Sequence, residues 1–159
     1  MAQTKAFEWY KYEQPVAIPG MKADASVDIV DSYCAEAAMN PGNVVKRGRA
    51  DGLGAPILAA GDLGTAINIV GIAVHTQKDY DGEGAYYQQG DAVPVMSFGD
   101  VYVEAGAVVA AGDAAGLEIT KDGPAFVKAA DVSTGVALTG MTFMASGVQG
   151  DIVPLRIRK

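Results

Sequence analysis

Asp100-Val-Tyr-Val-Glu104 sets Val101 and Val103 against Tyr102 and Glu104, the two-residue period of a strand with one face buried and one face wet. The same alternation closes the chain, where Leu155 and Ile157 interleave with Arg156 and Arg158. Working outward from these two segments, the chain beyond Ser26 divides into short runs rich in Val, Ile, Ala, Tyr and Thr. Each run is ended by Gly with Asp, Asn or Pro. Regularly spaced short strands with turn signals between them define an all-β sandwich or barrel. Strands are expected near residues 27–30, 33–38, 44–47, 67–75, 92–97, 100–104, 117–120, 126–129, 135–138 and 152–158. Turns are expected at Asn40-Pro-Gly-Asn43, Phe98-Gly-Asp100 and Lys121-Asp-Gly-Pro124, where Gly and Asn supply positive φ and Pro fixes it. No long amphipathic helix pattern occurs, and residues 35–39 suffice for one helical turn. The predicted fold is a single compact β-barrel or β-sandwich over residues 27–159.

Residues 1–26 differ from this pattern. Trp9, Tyr10 and Tyr12 are followed by Pro15, Val16, Ile18, Pro19, Gly20 and Met21 with no strand or helix period, and the two prolines favour an extended backbone. Disordered tails are poor in aromatics, whereas aromatic side chains are frequent anchors of interfaces. The segment is therefore read as an extended N-terminal arm that lies on a neighbouring subunit, with Trp9, Tyr10, Tyr12, Val16, Ile18 and Met21 as its contact residues. Residues 50–65 and 79–90 are read as long loops, a class often tied to function.

The 159 residues fit one domain, and half of them are hydrophobic while 19% are charged, below the usual quarter. A surface so low in charge suits contact with protein. The formal charge is -7, and residues 51 to 155 carry 13 acids against Lys78, Lys121 and Lys128. Sequence-independent binding of phosphates needs a concentrated basic face, so nucleic acid is not expected as a partner. Cys34 is the only cysteine, which excludes an intrachain disulfide; it is expected to be a small buried hydrophobe. The first residues lack the apolar run of a signal peptide, and no segment approaches the roughly 18 apolar residues of a membrane span. Neither an oxidising compartment nor a membrane is expected.

The clusters Asp51-Gly-Leu-Gly54, Gly61-Asp-Leu-Gly64 and Asp81-Gly-Glu-Gly84 lack the alternating ligands and distal Glu of a calcium loop and are read as turns. Gly-Asp pairs recur at Gly61, Gly90, Gly99, Gly112 and Gly150, again as β-turns. His75 is the only histidine, so a histidine cluster is excluded and a catalytic triad would have to be built on one ring without a nucleophile elbow. It is read as the end of a strand. No catalytic residue, metal site or cofactor is expected. Val108-Val-Ala-Ala-Gly-Asp113 resembles the turn of lipoyl, biotinyl and β-clip domains, but Lys22 precedes every predicted strand, so a swinging-arm lysine is excluded by position.

The order of segments resembles the capsid cement, or decoration, proteins of tailed bacteriophages. An N-terminal arm is followed by Val30-Asp-Ser-Tyr33, Ala38-Met-Asn-Pro-Gly42 and Val44-Val-Lys-Arg-Gly48. After a glycine-rich loop come Gly71-Ile-Ala-Val74, Tyr87-Gln-Gln-Gly-Asp91-Ala-Val-Pro-Val95, Gly99-Asp-Val-Tyr-Val103 and Val109-Ala-Ala-Gly-Asp113. The resemblance implies a β-barrel or β-sandwich bound to the exterior of an icosahedral shell as a dimer or trimer. There it would clamp neighbouring major capsid subunits in a virion made in the host cytoplasm. The rival readings are a tail-associated or receptor-binding virion protein and a small β-barrel enzyme or carrier domain.

Overall fold

The computed structural model describes residues 17–49, 51–58, 68–78 and 82–158. Among the described residues eight strands form in chain order: β1 (Ile29–Cys34), β2 (Val44–Lys46), β3 (Ile69–Ala73), β4 (Ala92–Glu104), β5 (Ala114–Thr120), β6 (Gly123–Lys128), β7 (Gly135–Phe143) and β8 (Ile152–Ile157), with a 3-10 turn at Ala129–Asp131. All strand pairs are antiparallel, in the order β2-β3-β4-β8-β7-β5-β6, and β1 joins β4 beside this path. The fold is all-β, as the sequence predicts.

The expected turn at Phe98–Asp100 is a correction, because β4 runs straight through it for 13 residues. Gly99, at φ 134°, lets the strand leave one partner and take up the next. The first half of β4 pairs with β1 and β3, and the second half pairs with β8. The strand expected over residues 33–38 ends at Cys34, and β7 extends beyond its expected end to Phe143. Cys34 is exposed, because the buried place in that segment is filled by its neighbour Ala35. Parts of both predicted long loops, residues 50, 59–65 and 79–81, lie outside the described residues, as does Ile67 of the predicted fourth strand.

Pairing β1 with β4 and pairing β4 with β8 follow one register. Cys34↔Ala92 corresponds to Glu104↔Ile152, Tyr33↔Val93 to Val103↔Val153, Ser32↔Pro94 to Tyr102↔Pro154, and Asp31↔Val95 to Val101↔Leu155. Val44↔Ile72 has its counterpart in Ala114↔Thr142, and Ala73↔Val95 in Phe143↔Leu155. The chain is thus a tandem structural repeat, spaced by 70 residues from Cys34 to Glu104 and by 60 from Ala92 to Ile152, with β4 shared between the two halves.

Each half is closed by two turns of one design. In Asn40–Asn43, Gln88–Asp91, Ala110–Asp113 and Val148–Asp151 the fourth side chain accepts a hydrogen bond from the first backbone N–H at 2.8, 2.9, 2.9 and 2.9 Å. The third residue is always Gly, at φ between 88° and 93°, which suits the type II turn. The residues preceding the turns pair across each half, Met39 with Tyr87 and Val109 with Gly147.

A fifth turn, residues 18–21, stacks on the first half and leads into a segment bonded to the second half's stretch of β4. Met21 N–H bonds Ile18 O, and Pro19-Gly20 stacks on Pro41-Gly42 so closely that a Cβ on Gly20 would stand 2.5 Å from Pro41 Cβ. The segment is then bonded into the sheet through Gly20 N–H to Tyr102 O, Tyr102 N–H to Met21 O, Ala23 N–H to Asp100 O and His75 N–H to Gly20 O.

The main core joins both halves through Val44, Leu58, Ile72, Val74 and Met96 from the first and Leu117, Leu138, Phe143, Leu155 and Ile157 from the second. A second core lies on the other face of the first half, where Ala35, Met39, Val45, Tyr87, Val93 and Val95 are covered by loops. Full burial of each Val, Leu, Ile, Met or Phe among them contributes about 1.5–3 kcal/mol.

Candidate partner-contact surface

Of the six residues assigned to the arm, Trp9, Tyr10, Tyr12 and Val16 lie outside the described residues. Ile18 and Met21 stand in the fifth turn. Their backbone is bonded within that turn, and Met21 is also bonded to β4, while both side chains remain exposed at 40% and 44%. The turn therefore holds two exposed apolar side chains on a platform bonded into the sheet.

Two further apolar places are exposed that sequence reading did not single out. Val109↔Gly147 is a bridge, so Val108 and Val148 stand side by side next to the turns of the second half, and they are 65% and 56% exposed. Val109 itself is buried, so strand alternation turns Val108 outward. The second place is the approach to β1, with Val27 at 78% and Ile29 at 51% exposure. A strand period marks these residues as facing away from their buried neighbours, but only the closed fold shows that nothing described covers them.

Asp100 is the one buried charged residue described. Its carboxylate takes Arg156 in a two-pronged contact, Nε to Oδ1 at 3.0 Å and Nη2 to Oδ2 at 2.7 Å, and Arg158 Nη2 lies 3.4 Å from Oδ1. The Arg158 guanidinium also covers the Phe98 ring at 4.5 Å. The hydrogen bond to Asp100 raises the Arg156 pKa. This cluster fastens β8 to β4 where the strand changes partners.

His75 stacks at 4.9 Å on Tyr86. Tyr87, buried, donates its hydroxyl to Val74 O at 2.6 Å, and burial pushes its phenol pKa up. Tyr86 donates to Thr76 O. Lys78 bonds Asp91 at 2.7 Å, and that bond, with the Gln88 N–H, holds the Asp91 carboxyl below its ordinary value. These contacts tie the 82–91 segment to the end of β3, a structural use for the groups around His75. Among the described residues no cluster of His, Cys, Asp and Glu is placed to hold a metal ion, and no helix is long and apolar enough to cross a membrane. A cleft of about 310 Å³ lies between the halves, walled by Pro19, Pro41, Glu104, Pro124 and Phe126.

Edges, turns and exposed apolar side chains on a repeated β scaffold make this a protein whose described surface is suited to holding other proteins. The chain belongs to the phage structural cement protein family: its sequence matches the model described as structural cement protein (E217 gp24/Pam3 gp6) over residues 8–158. The fold is similar to a chain in the solved structure titled "The capsid of Myoviridae Phage XM1", with a TM-score of 0.73, 18% identity and coverage of 93% of this chain and 94% of that one. A chain of "The crystal structure of head fiber gp8.5 N base in bacteriophage phi29" aligns at a TM-score of 0.43 and 18% identity over 83% of this chain and 95% of that one. No curated protein sequence matches the chain.

Proposed function

We propose that this cement protein binds the outer surface of an icosahedral phage capsid and clamps neighbouring major capsid subunits, without catalysis or cofactor. The observation that carries the reading is the family match across nearly the whole chain. An exterior position suits the net charge of -7, since the packaged DNA would repel an acidic protein. Copies associate as dimers or trimers on the shell, and each adds a small burial that many copies multiply.

The contact surface in this reading is the arm with Trp9, Tyr10, Tyr12 and Val16, continued by Ile18 and Met21 on the fifth turn. Removal of residues 2–16 spares every described bond of that turn. The shortened protein is expected to keep its melting temperature and to co-sediment with shells at least tenfold more weakly, since aromatic anchors commonly contribute 2 kcal/mol or more each. Unchanged binding would remove the arm from the contact. A particle map with hundreds of copies on the shell is the expected image; a few copies at the tail would favour a tail-associated protein.

A further inference from the structure

The tandem repeat makes the open edge of β1 informative. In the second half, the stretch of β4 that matches β1 is paired on both sides: β8 lies on one edge and residues 20–23 on the other, bridged at Lys22↔Val101. In the first half, β1 pairs with β4 on one edge only. The Leu53–Ala55 segment covers the opposite edge just at Cys34, through Cys34 N–H to Leu53 O at 2.8 Å and Ala55 N–H to Cys34 O at 2.9 Å. From Val30 to Ser32 no described segment lies on that edge.

The unpaired groups can be named from the register. Ser32 stands opposite Pro94, which has no N–H and whose carbonyl receives Val74 N–H, so the Ser32 N–H and C=O point away from β4. Its counterpart Tyr102, opposite Pro154, uses those same groups to bond Met21 O and Gly20 N–H, and Asp100 O, the counterpart of Val30 O, receives Ala23 N–H. Ser32 N–H, Ser32 O and Val30 O therefore form a copy, unfilled by any described segment, of a site that is filled one repeat later. The surroundings are acidic and apolar: Asp31 is exposed and Asp28 is paired with Lys22 at 2.6 Å, beside exposed Val27 and Ile29. Two such acidic strands repel when laid side by side, which disfavours a second copy of β1 as the occupant.

We infer that the Val30–Ser32 edge of β1 receives an extended segment of the capsid subunit, rich in Lys or Arg, as an added antiparallel strand. Strand addition draws affinity from main-chain bonds and specificity from alternate side chains, and the basic side chains answer the exposed Asp31. This deepens the cement reading and rests on it.

The test uses the full-length protein and empty shells of its phage that lack it. Ser32→Pro removes an outward N–H and fills the edge while leaving the bonds to β4 in place; Asp31→Lys reverses an exposed charge and leaves the backbone intact. Both are expected to keep the wild-type melt and to bind shells about tenfold more weakly or worse, with the Asp31→Lys loss largest at low salt. If Ser32→Pro unfolds the protein, Asp31→Lys carries the test alone. Wild-type binding by both variants, with the 2–16 deletion still impaired, overturns the edge assignment and leaves the cement reading standing. Wild-type protein that never binds shells overturns both. A wild-type dimer in solution that Ser32→Pro dissociates, with shell binding unchanged, gives the edge to a second copy and overturns the capsid assignment.

Discussion

Val44, Ile72, Val74 and Met96 on one face of the first repeat are buried in the main core, while their counterparts Ala114, Thr142, Met144 and Arg156 in the second are partly or largely exposed. On the other face the pairs Val45 and Ala115, Ala73 and Phe143, Val93 and Val153, and Val95 and Leu155 are buried in both repeats. The backbone register is the same, so the difference comes from what covers each sheet. The first repeat is enclosed by the second half on one face and by its own loops and N-terminal turn elsewhere, and the second leaves a face to solvent. Where the second repeat leaves these positions partly or largely exposed, Ala114, Thr142 and Arg156 are small or polar, and Met144 is the conspicuous departure.

The strongest test of this comparison concerns how each repeat fills its inner face. The first uses Tyr87 with Ala73, and the second uses Phe143 where Tyr87 has become Gly147. Phe143→Ala takes the fully buried ring out of that core, leaving Phe126 as its remaining ring, and is expected to cost about 3–5 kcal/mol, read from urea unfolding. A loss under about 1 kcal/mol would mean the second repeat is not packed around this residue.

Next in size is a pair of glycine replacements. Gly42 and Gly112 are equivalent and share positive φ, but a Cβ on Gly42 would stand 2.7 Å from Pro19 Cβ, whereas one on Gly112 meets nothing within 4 Å. Both Ala variants carry the backbone strain of about 1–2 kcal/mol. Gly42→Ala is expected to lose a further 1–3 kcal/mol from the clash. Equal losses in thermal melts would deny that the fifth turn is seated on the first repeat.

The ion pair offers a smaller contrast. Asp100↔Arg156 occupies the place that Val30↔Met96 holds in the first repeat. Asp100→Val alone leaves both arginines without their acceptor and is expected to lower the denaturation midpoint. Adding Arg156→Met recreates the apolar pair and is expected to restore most of it, as such exchanges often do. A double variant no better than the single would make the carboxylate indispensable.

The smallest effect separates the turn acids by pH. Asp91 has a depressed pKa, first because Lys78 bonds it and then because of Gln88 N–H. A carboxylate with a lowered folded pKa stabilises the fold fully above its unfolded value of about 3.9 and loses that contribution as pH falls through the folded value. Asp91→Asn is therefore expected to lower stability slightly at neutral pH, where the carboxylate contributes in full, and to flatten the acid limb of the stability curve below about pH 4. An unchanged acid limb would assign acid sensitivity to other carboxylates.

Much of this was legible in the residues. The alternation at Val101 to Glu104 and Leu155 to Arg158 gives strands because a two-residue period admits no other regular structure with one dry face. Asn40–Asn43 forms a turn for local reasons that its own Pro, Gly and Asn supply. Even the repeat was written in Gln89-Gly-Asp-Ala-Val-Pro-Val95 and Gln149-Gly-Asp-Ile-Val-Pro-Leu155, a match at a spacing of 60 that reading Gly-Asp pairs one at a time as turns passes over. That same local reading made Gly99-Asp100 a turn, although here the dipeptide carries β4 from one set of partners to another. Strand direction through a Gly depends on which edges lie on either side, and those edges come from β1, β3 and β8, distant in sequence. Local chemistry by itself determined the strands, the turns and the all-β class, because each is set by residues a few positions apart. Tertiary structure alone decided that Asp100 is buried with Arg156, that Gly20 locks onto Gly42 and that no described segment covers the edge at Ser32, because burial and pairing are relations between segments that only the folded sheet brings together.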